Sequence, residues 1–271
     1  VDPVIALLGE EWEGLDRLGT TLSDEEWSRP TDCPEWTVHD QFAHMVGTET
    51  SLADGRRLPE GLAPSDPWPG HVHNPIGAMN EVLVEARRRI SHAELLDEFR
   101  QITSRRLAQL MAMSDESLSA VGPSPIGPVP YRESMDVRLM DCWVHEQDIR
   151  RAVGRPGHRE GPIVERSLDR FTSAMPFVVG KKAGAPSGCT VVFDLTGPAA
   201  RTIAVEVDGR ARLTASVPET PTVRLVMDTE TWWCLDLGRW SPASVLADGL
   251  VRIDGDMALG TRVVMELAFM I

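Results

Sequence analysis

Asp141 and His145 stand one helical turn apart in the stretch DCWVHEQDIRRAVGRPG, residues 141–157. On a helix their side chains share a face, with Cβ atoms about 5–6 Å apart. An acid and an imidazole at that spacing are two parts of a metal site if a third ligand faces them. A catalytic metal also keeps one position open for water or substrate. His44, set among Phe42, Met45 and Val46, is the third candidate. Helical bundles build interior metal sites from a His on one helix and a carboxylate–His pair on another. Plainer readings of the same residues stand beside this one. His44 alone also reads as a hydrogen-bonded structural residue, and His145 as a buried side chain paired with Asp148.

The elements that must carry these residues follow from periodicity. Ile5, Leu8, Trp12, Leu15 and Leu18 recur at three- and four-residue steps and predict a helix with one apolar face. SDEEW, 23–27, predicts a short capped turn. A second helix begins after Pro34, with Thr37 as N-cap and Asp40 in its first turn. Residues 59–75, rich in Pro and Gly, predict a long loop. A third helix starts near Asn74, breaks at Ser91, where SHAE forms a capping box, and resumes to about Met113. GPSPIGPVPY, 122–131, is too dense in Pro and Gly for regular structure. A helix from about Arg132 to Val153 carries Asp141 and His145, and Gly154 with Pro156 stops it. One more helix spans about 162–182.

The period then changes from 3.6 to 2. Residues 189–195, 201–207, 210–216 and 222–228 are β-branched segments separated by turn residues. Short helices near Trp232 and Pro242, a strand LVRIDGD and a closing helix 256–270 complete the chain. The expected organisation is a helical bundle, residues 1–184, followed by a small α+β domain, residues 185–271.

Composition narrows the partners. The 271 residues carry 27 basic and 41 acidic side chains, a formal charge of −14, with 42% hydrophobic residues. Such an acidic surface repels phosphate backbones and anionic lipid, so neither nucleic acid nor a membrane is an expected partner. No apolar run approaches the roughly 20 residues that span a bilayer. VDPVIALLGEEWEGLD puts acids where a signal peptide needs basic residues. Cys33, Cys142, Cys189 and Cys234 form no C-x-x-C pair, which argues against a zinc ribbon, a redox dithiol and a disulfide framework. A cytoplasmic protein, monomeric by default, is the expectation.

PTDCPEWTVHDQFAHM and, about a hundred residues later, DCWVHEQDIRRAVGRPG resemble the mycothiol-dependent maleylpyruvate isomerase family of actinobacteria. DLGRWSPASVLADGLVRIDGDMALGTRVV is similar to the second domain of that family. The resemblance implies a DinB-like four-helix bundle followed by a sterol-carrier-like α+β domain. It also implies a divalent metal, most often zinc, held here by His44, Asp141 and His145, with mycothiol as cosubstrate. The carboxylate of the family is a Glu. Asp141 is one methylene shorter, so the metal sits closer to its helix or a water bridges the gap, and nickel or iron stays open beside zinc. The implied activity is attack of an activated low-molecular-weight thiol on a small electrophile, as an isomerase or an S-transferase. The alternative is a non-catalytic module that binds an apolar small molecule and keeps a structural metal.

Other polar residues have two readings each. Arg239, in LGRW, is the candidate catalytic arginine, holding a substrate carboxylate through its planar fork, or else packs on Trp240. Asp148 orients a ligand histidine or pairs with Arg150 or Arg151. His71 and His73 line the entrance or are solvent-exposed. His39 is expected to be exposed, Cys33, at a helix N-terminus, to be an inert buried thiol rather than a nucleophile, and Trp36, Trp143, Trp232, Trp233 and Trp240 to be mostly core.

Overall fold

The computed structural model describes residues 2–55, 58 and 61–269. Residues 59 and 60 of the expected loop and residue 270 of the expected last helix lie outside the described residues. The chain divides into two compact units, one up to His158 and one from Arg159 onward.

The first unit holds α1 (Pro3–Thr20), α2 (Asp24–Trp27), α3 (Val38–Ala53), α4 (Pro75–Glu85), α5 (His92–Met111), α6 (Asp115–Ser119), β1 (Val121–Gly122), β2 (Val129–Pro130) and α7 (Tyr131–Val153). Helix α1 starts where Asp2 accepts from the Val4 amide and Pro3 fills the first position. Capping boxes fix α2 at Ser23, α3 at Thr37 with Asp40, and α5 at Ser91 with Glu94. Gly154, at φ 68°, ends α7 in the left-handed conformation that favours glycine. Helices α1, α3, α5 and α7 pack in a closed ring, with α4 against α3. Their shared core includes Leu8, Trp12, Phe42, Leu95, Phe99 and Trp143. The expectation of nothing regular at 122–131 is corrected. Val121 pairs with Pro130 and Gly122 with Val129, because the prolines and glycines form the turn of a two-stranded ribbon.

The second unit holds α8 (Pro162–Phe177), a π-helical turn (Val178–Lys182), β3 (Thr190–Thr196), β4 (Arg201–Asp208), β5 (Arg210–Thr214), β6 (Val223–Asp228), α9 (Thr229–Asp236), α10 (Pro242–Ala247), β7 (Val251–Gly255) and α11 (Met257–Met265). The sheet order is β5-β4-β3-β6-β7, with β3 and β6 parallel and the other neighbours antiparallel. Helix α8 lies on β4 and β5, and α11 on β6 and β7. Alternate residues of β6, Val223, Leu225 and Met227, are buried, as the period of two requires. The helix expected over 162–182 changes character after Pro176, whose ring nitrogen has no hydrogen to give the preceding turn.

Candidate metal centre

Helices α3 and α7 bring His44, Asp141 and His145 together: one donor atom from each lies within 4.8 Å of the other two. The His44 Nε2 is 3.1 Å from Asp141 Oδ2, and His145 Nε2 is 3.5 Å from Asp141 Oδ1. The two imidazole centroids are 4.6 Å apart. Ligand atoms at tetrahedral zinc bond lengths are separated by about 3.3 Å, and the two observed spacings fall on either side of that. Both imidazoles are buried, whereas the Asp141 side chain keeps 32% of its surface exposed, so the cluster has an open side.

The surrounding side chains hold the cluster's shape. The His145 Nδ1 faces Gln41 Oε1 in a short contact and lies 3.7 Å from Asp148 Oδ2. Gln41 gives its amide N–H to Thr31 Oγ1 at 2.7 Å, which leaves its carbonyl oxygen for the imidazole. The tautomer that donates Nδ1–H to Gln41 carries its lone pair on Nε2, toward Asp141 and a metal. Asp148 also accepts from Arg151 Nη2 at 2.5 Å, the ion pair that was one of its two readings. The indole of Trp36 lies 5.2 Å from the His44 ring and 6.0 Å from that of His145, and its Nε1 donates to Glu81 Oε2 at 2.9 Å. His44 Nδ1 is buried and finds no partner among the described residues.

Charge sets the protonation states. Burial pushes His44 down to about 4, against the raising influence of Asp141, so its ring is neutral at pH 7 and offers a lone pair. Burial alone would raise the Asp141 carboxyl, but Arg138, His145 and His44 outweigh it and hold it well below the usual carboxylate range. Arg138 Nη1 touches Asp141 Oδ2, the oxygen that His44 also approaches. The same guanidinium meets Glu49 at 2.9 Å, and Glu49 meets Arg106 at 3.1 Å, a buried chain of alternating charge. Cys142, with Arg138 Nη2 3.3 Å from its sulfur, is pushed up by burial and stays a thiol. Two imidazoles and one carboxylate are a donor set that zinc accepts, and the residues present fit such an ion. Arg138 opposes it by already neutralising part of the carboxylate charge.

Sequence reasoning missed Gln41, Arg138 and Glu49. Gln41 and Arg138 each sit three residues from a candidate ligand on its own helix, a spacing that shares a face. Two expectations are corrected. His39 is buried, not exposed, because its Nδ1 pairs with His92 Nδ1 at 2.9 Å and its Nε2 with the Arg87 carbonyl at 3.0 Å. Cys33 is half-buried rather than fully buried. Trp240 is also half-buried, and Trp36 is core but serves as the wall of the cluster. His71 Nε2 donates to the Glu81 carboxylate at 3.1 Å, while His73 is exposed. Arg239 belongs to the second unit, where its Nη1 donates to the Leu237 carbonyl at 3.3 Å.

A ring of helices with a His/Asp/His cluster, followed by a mixed-sheet α+β unit, defines the class of two-domain bundle proteins. The mycothiol maleylpyruvate isomerase N-terminal domain model matches residues 8–150, and the chain belongs to that family. Residues 180–267 match the SCP-2 sterol transfer family. Rv0036c and MT0041, uncharacterized proteins from two Mycobacterium tuberculosis strains, H37Rv and CDC 1551, are each 29% identical over 157 residues. The match takes in 56% of this chain and 57% of each relative, so the chain spans little more than half of their length. A crystal structure of a histidine-to-alanine mutant of the mycothiol-dependent maleylpyruvate isomerase superposes with a TM-score of 0.60 at 16% identity, over 93% of this chain and 91% of that one. A second structure of that isomerase gives 0.58 at 17%, over 88% and 89%. At these identities the likeness concerns the fold. Among the described residues no helix is long and apolar enough to cross a membrane.

Proposed function

We propose that the protein is a metal-dependent enzyme that activates a low-molecular-weight thiol, mycothiol, for attack on a small electrophile. The observation that supports it most is the convergence of His44, Asp141 and His145 around a side that stays open at Asp141. A divalent cation there, zinc first, would supply a thiolate from a thiol whose free pKa is near 8.5. His44 and His145 would turn ring nitrogens toward it, Gln41 fixes the His145 ring, and Trp36 covers one side of both rings. Addition of the thiolate to an activated double bond, rotation, and expulsion of the thiol would isomerise a cis-alkene without consuming a co-reactant. Retention of the carbon–sulfur bond would make the same chain an S-transferase. Arg239 is proposed to hold a carboxylate of the electrophile.

Metal content of the purified protein, followed by assay of thiol-dependent conversion of a cis-enoyl carboxylate, tests the reading. His145→Ala is expected to lose the metal equivalent held at the His44 cluster, and conversion with it, while the protein stays folded. Arg239→Gln is expected to raise KM with kcat less affected. A folded protein that takes up no stoichiometric divalent ion would overturn the proposal. Product analysis separates the two outcomes, since an isomerase returns free thiol and a transferase does not.

A further inference from the structure

A second cluster lies on the same helix, one residue beyond His145. Glu146 points from α7 toward α1, where Glu11 faces it, and His158 closes the group; donor atoms of the three lie within 4.8 Å of one another. The His158 Nδ1 is 2.6 Å from Glu146 Oε2 and 3.5 Å from Glu11 Oε2. Both glutamates are fully buried, whereas 26% of the His158 side chain is exposed, so the imidazole forms the access to the group.

Its parts are held in place from outside. Arg150 Nε and Nη2 lie 2.8 and 2.7 Å from Glu146 Oε1, which fixes that oxygen and leaves Oε2 to the cluster. Trp143 Nε1 and Gln147 Nε2 donate to the His158 carbonyl at 3.0 and 3.2 Å. These bonds secure His158 at φ 52°, a conformation uncommon outside glycine. What the cluster lacks is a donor for Glu11. Both Glu11 oxygens are buried, and among the described residues no donor from outside the cluster reaches either of them; Glu11 faces only Glu146 and His158. A buried carboxylate with no donor from outside is costly, and this one faces a second carboxylate. Burial, then Glu146, push the Glu11 carboxyl well above its usual range, against the weaker opposing charge of Arg150.

We propose that Glu11, Glu146 and His158 form a second divalent-cation site, separate from the His44 cluster and suited to a zinc-like ion. Its ligands are His158 Nδ1, Glu146 Oε2 and one Glu11 oxygen, a mixed nitrogen and carboxylate set that such ions accept. Once Glu11 gives up its proton to the incoming ion, the two carboxylates and Arg150 together leave one negative charge for the ion to meet. Because Glu11 belongs to α1, Glu146 to α7 and His158 to the chain beyond α7, occupancy would tie three distant segments together.

The metal-stripped full chain titrated with zinc alone, by equilibrium dialysis and elemental analysis, tests this. Wild type is expected to bind two equivalents, His44→Ala one, His158→Ala one, and the double variant none. Zinc is expected to raise the melting temperature of His44→Ala, and this rise should vanish in the double variant. Glu11→Gln keeps the shape and removes the charge, and is expected to weaken the second equivalent at least about a hundredfold, beyond the loss seen when a supporting residue is removed. His158→Ala, at a partly exposed position, supplies the same information should Glu11→Gln misfold. A single equivalent that disappears in His44→Ala would overturn this site and leave the first standing. A single equivalent that survives in His44→Ala and disappears in His158→Ala would do the reverse. Uptake unchanged in both Glu11→Gln and His158→Ala would also overturn it.

Discussion

The helical unit buries Glu11, Glu49, Arg106, Arg138, Glu146, Asp148 and both candidate imidazoles, whereas the sheet unit buries Val191, Phe193, Val205, Leu225 and Trp232 around few polar groups. In the first unit charges are interlocked, so removing one leaves another stranded. In the second the core is mostly apolar, and its polar members act singly. Ser167, for example, donates to the Ile163 carbonyl at 2.8 Å within its own helix. The lesson concerns where chemistry can be placed: buried charge is retained in the unit that needs shaped donors, and stability is left to apolar packing in the other.

That contrast can be broken by substitution, beginning with the largest effect. Glu49→Ala leaves Arg106 and Arg138 buried without their shared carboxylate and is expected to cost about 3–5 kcal/mol in urea unfolding. The acid side of the stability profile comes next. His44 is held near pH 4 in the fold, below its ordinary value of 6.5, so the unfolded chain binds the proton first. The stability this residue contributes is present above pH 6.5 and lost as pH falls toward 4, on the order of 3 kcal/mol. Unfolding of the metal-free protein across that window, with His44→Asn as control, measures it. Gln41→Ala frees the His145 ring and is expected to weaken zinc about 10–100-fold in chelator competition, with little change in melting temperature. Smallest is Ser167→Ala in the sheet unit, about 1 kcal/mol by the same urea assay.

Asp236 is the exception that sharpens the comparison. It is a buried carboxyl of the sheet unit, without a partner among the described residues, and burial pushes it well above its usual range. A carboxyl raised in the fold stabilises below its unfolded pKa, and that contribution is lost as pH rises through the folded value. Asp236→Asn is therefore expected to flatten the decline of stability on the alkaline side, opposite in sign to the effect of His44.

The sequence exposed some of this and hid the rest for physical reasons. The capping boxes at Thr37 and Ser91 and the i,i+4 pair Asp141/His145 are local patterns, and local geometry makes them readable. His44 was placed by its apolar neighbours and by the family resemblance. Arg138 and Glu49 were harder, because an Arg on one helix and a Glu on another look like surface residues until packing buries them. Glu11 was the least visible. It lies far in sequence from Glu146 and follows an acidic neighbour in EEWE, and only the pairing of α1 with α7 turns it inward. The ribbon at 121–130 was hidden by its prolines, which read as a loop and serve as its turn.

Of the eight tryptophans, Trp36 lies tilted beside the two candidate imidazoles at once. Its fluorescence is therefore tuned by whatever those rings hold: a paramagnetic ion such as cobalt would darken it, and closed-shell zinc would only shift its colour. The molecule carries its own lamp at the point where occupancy has to be read.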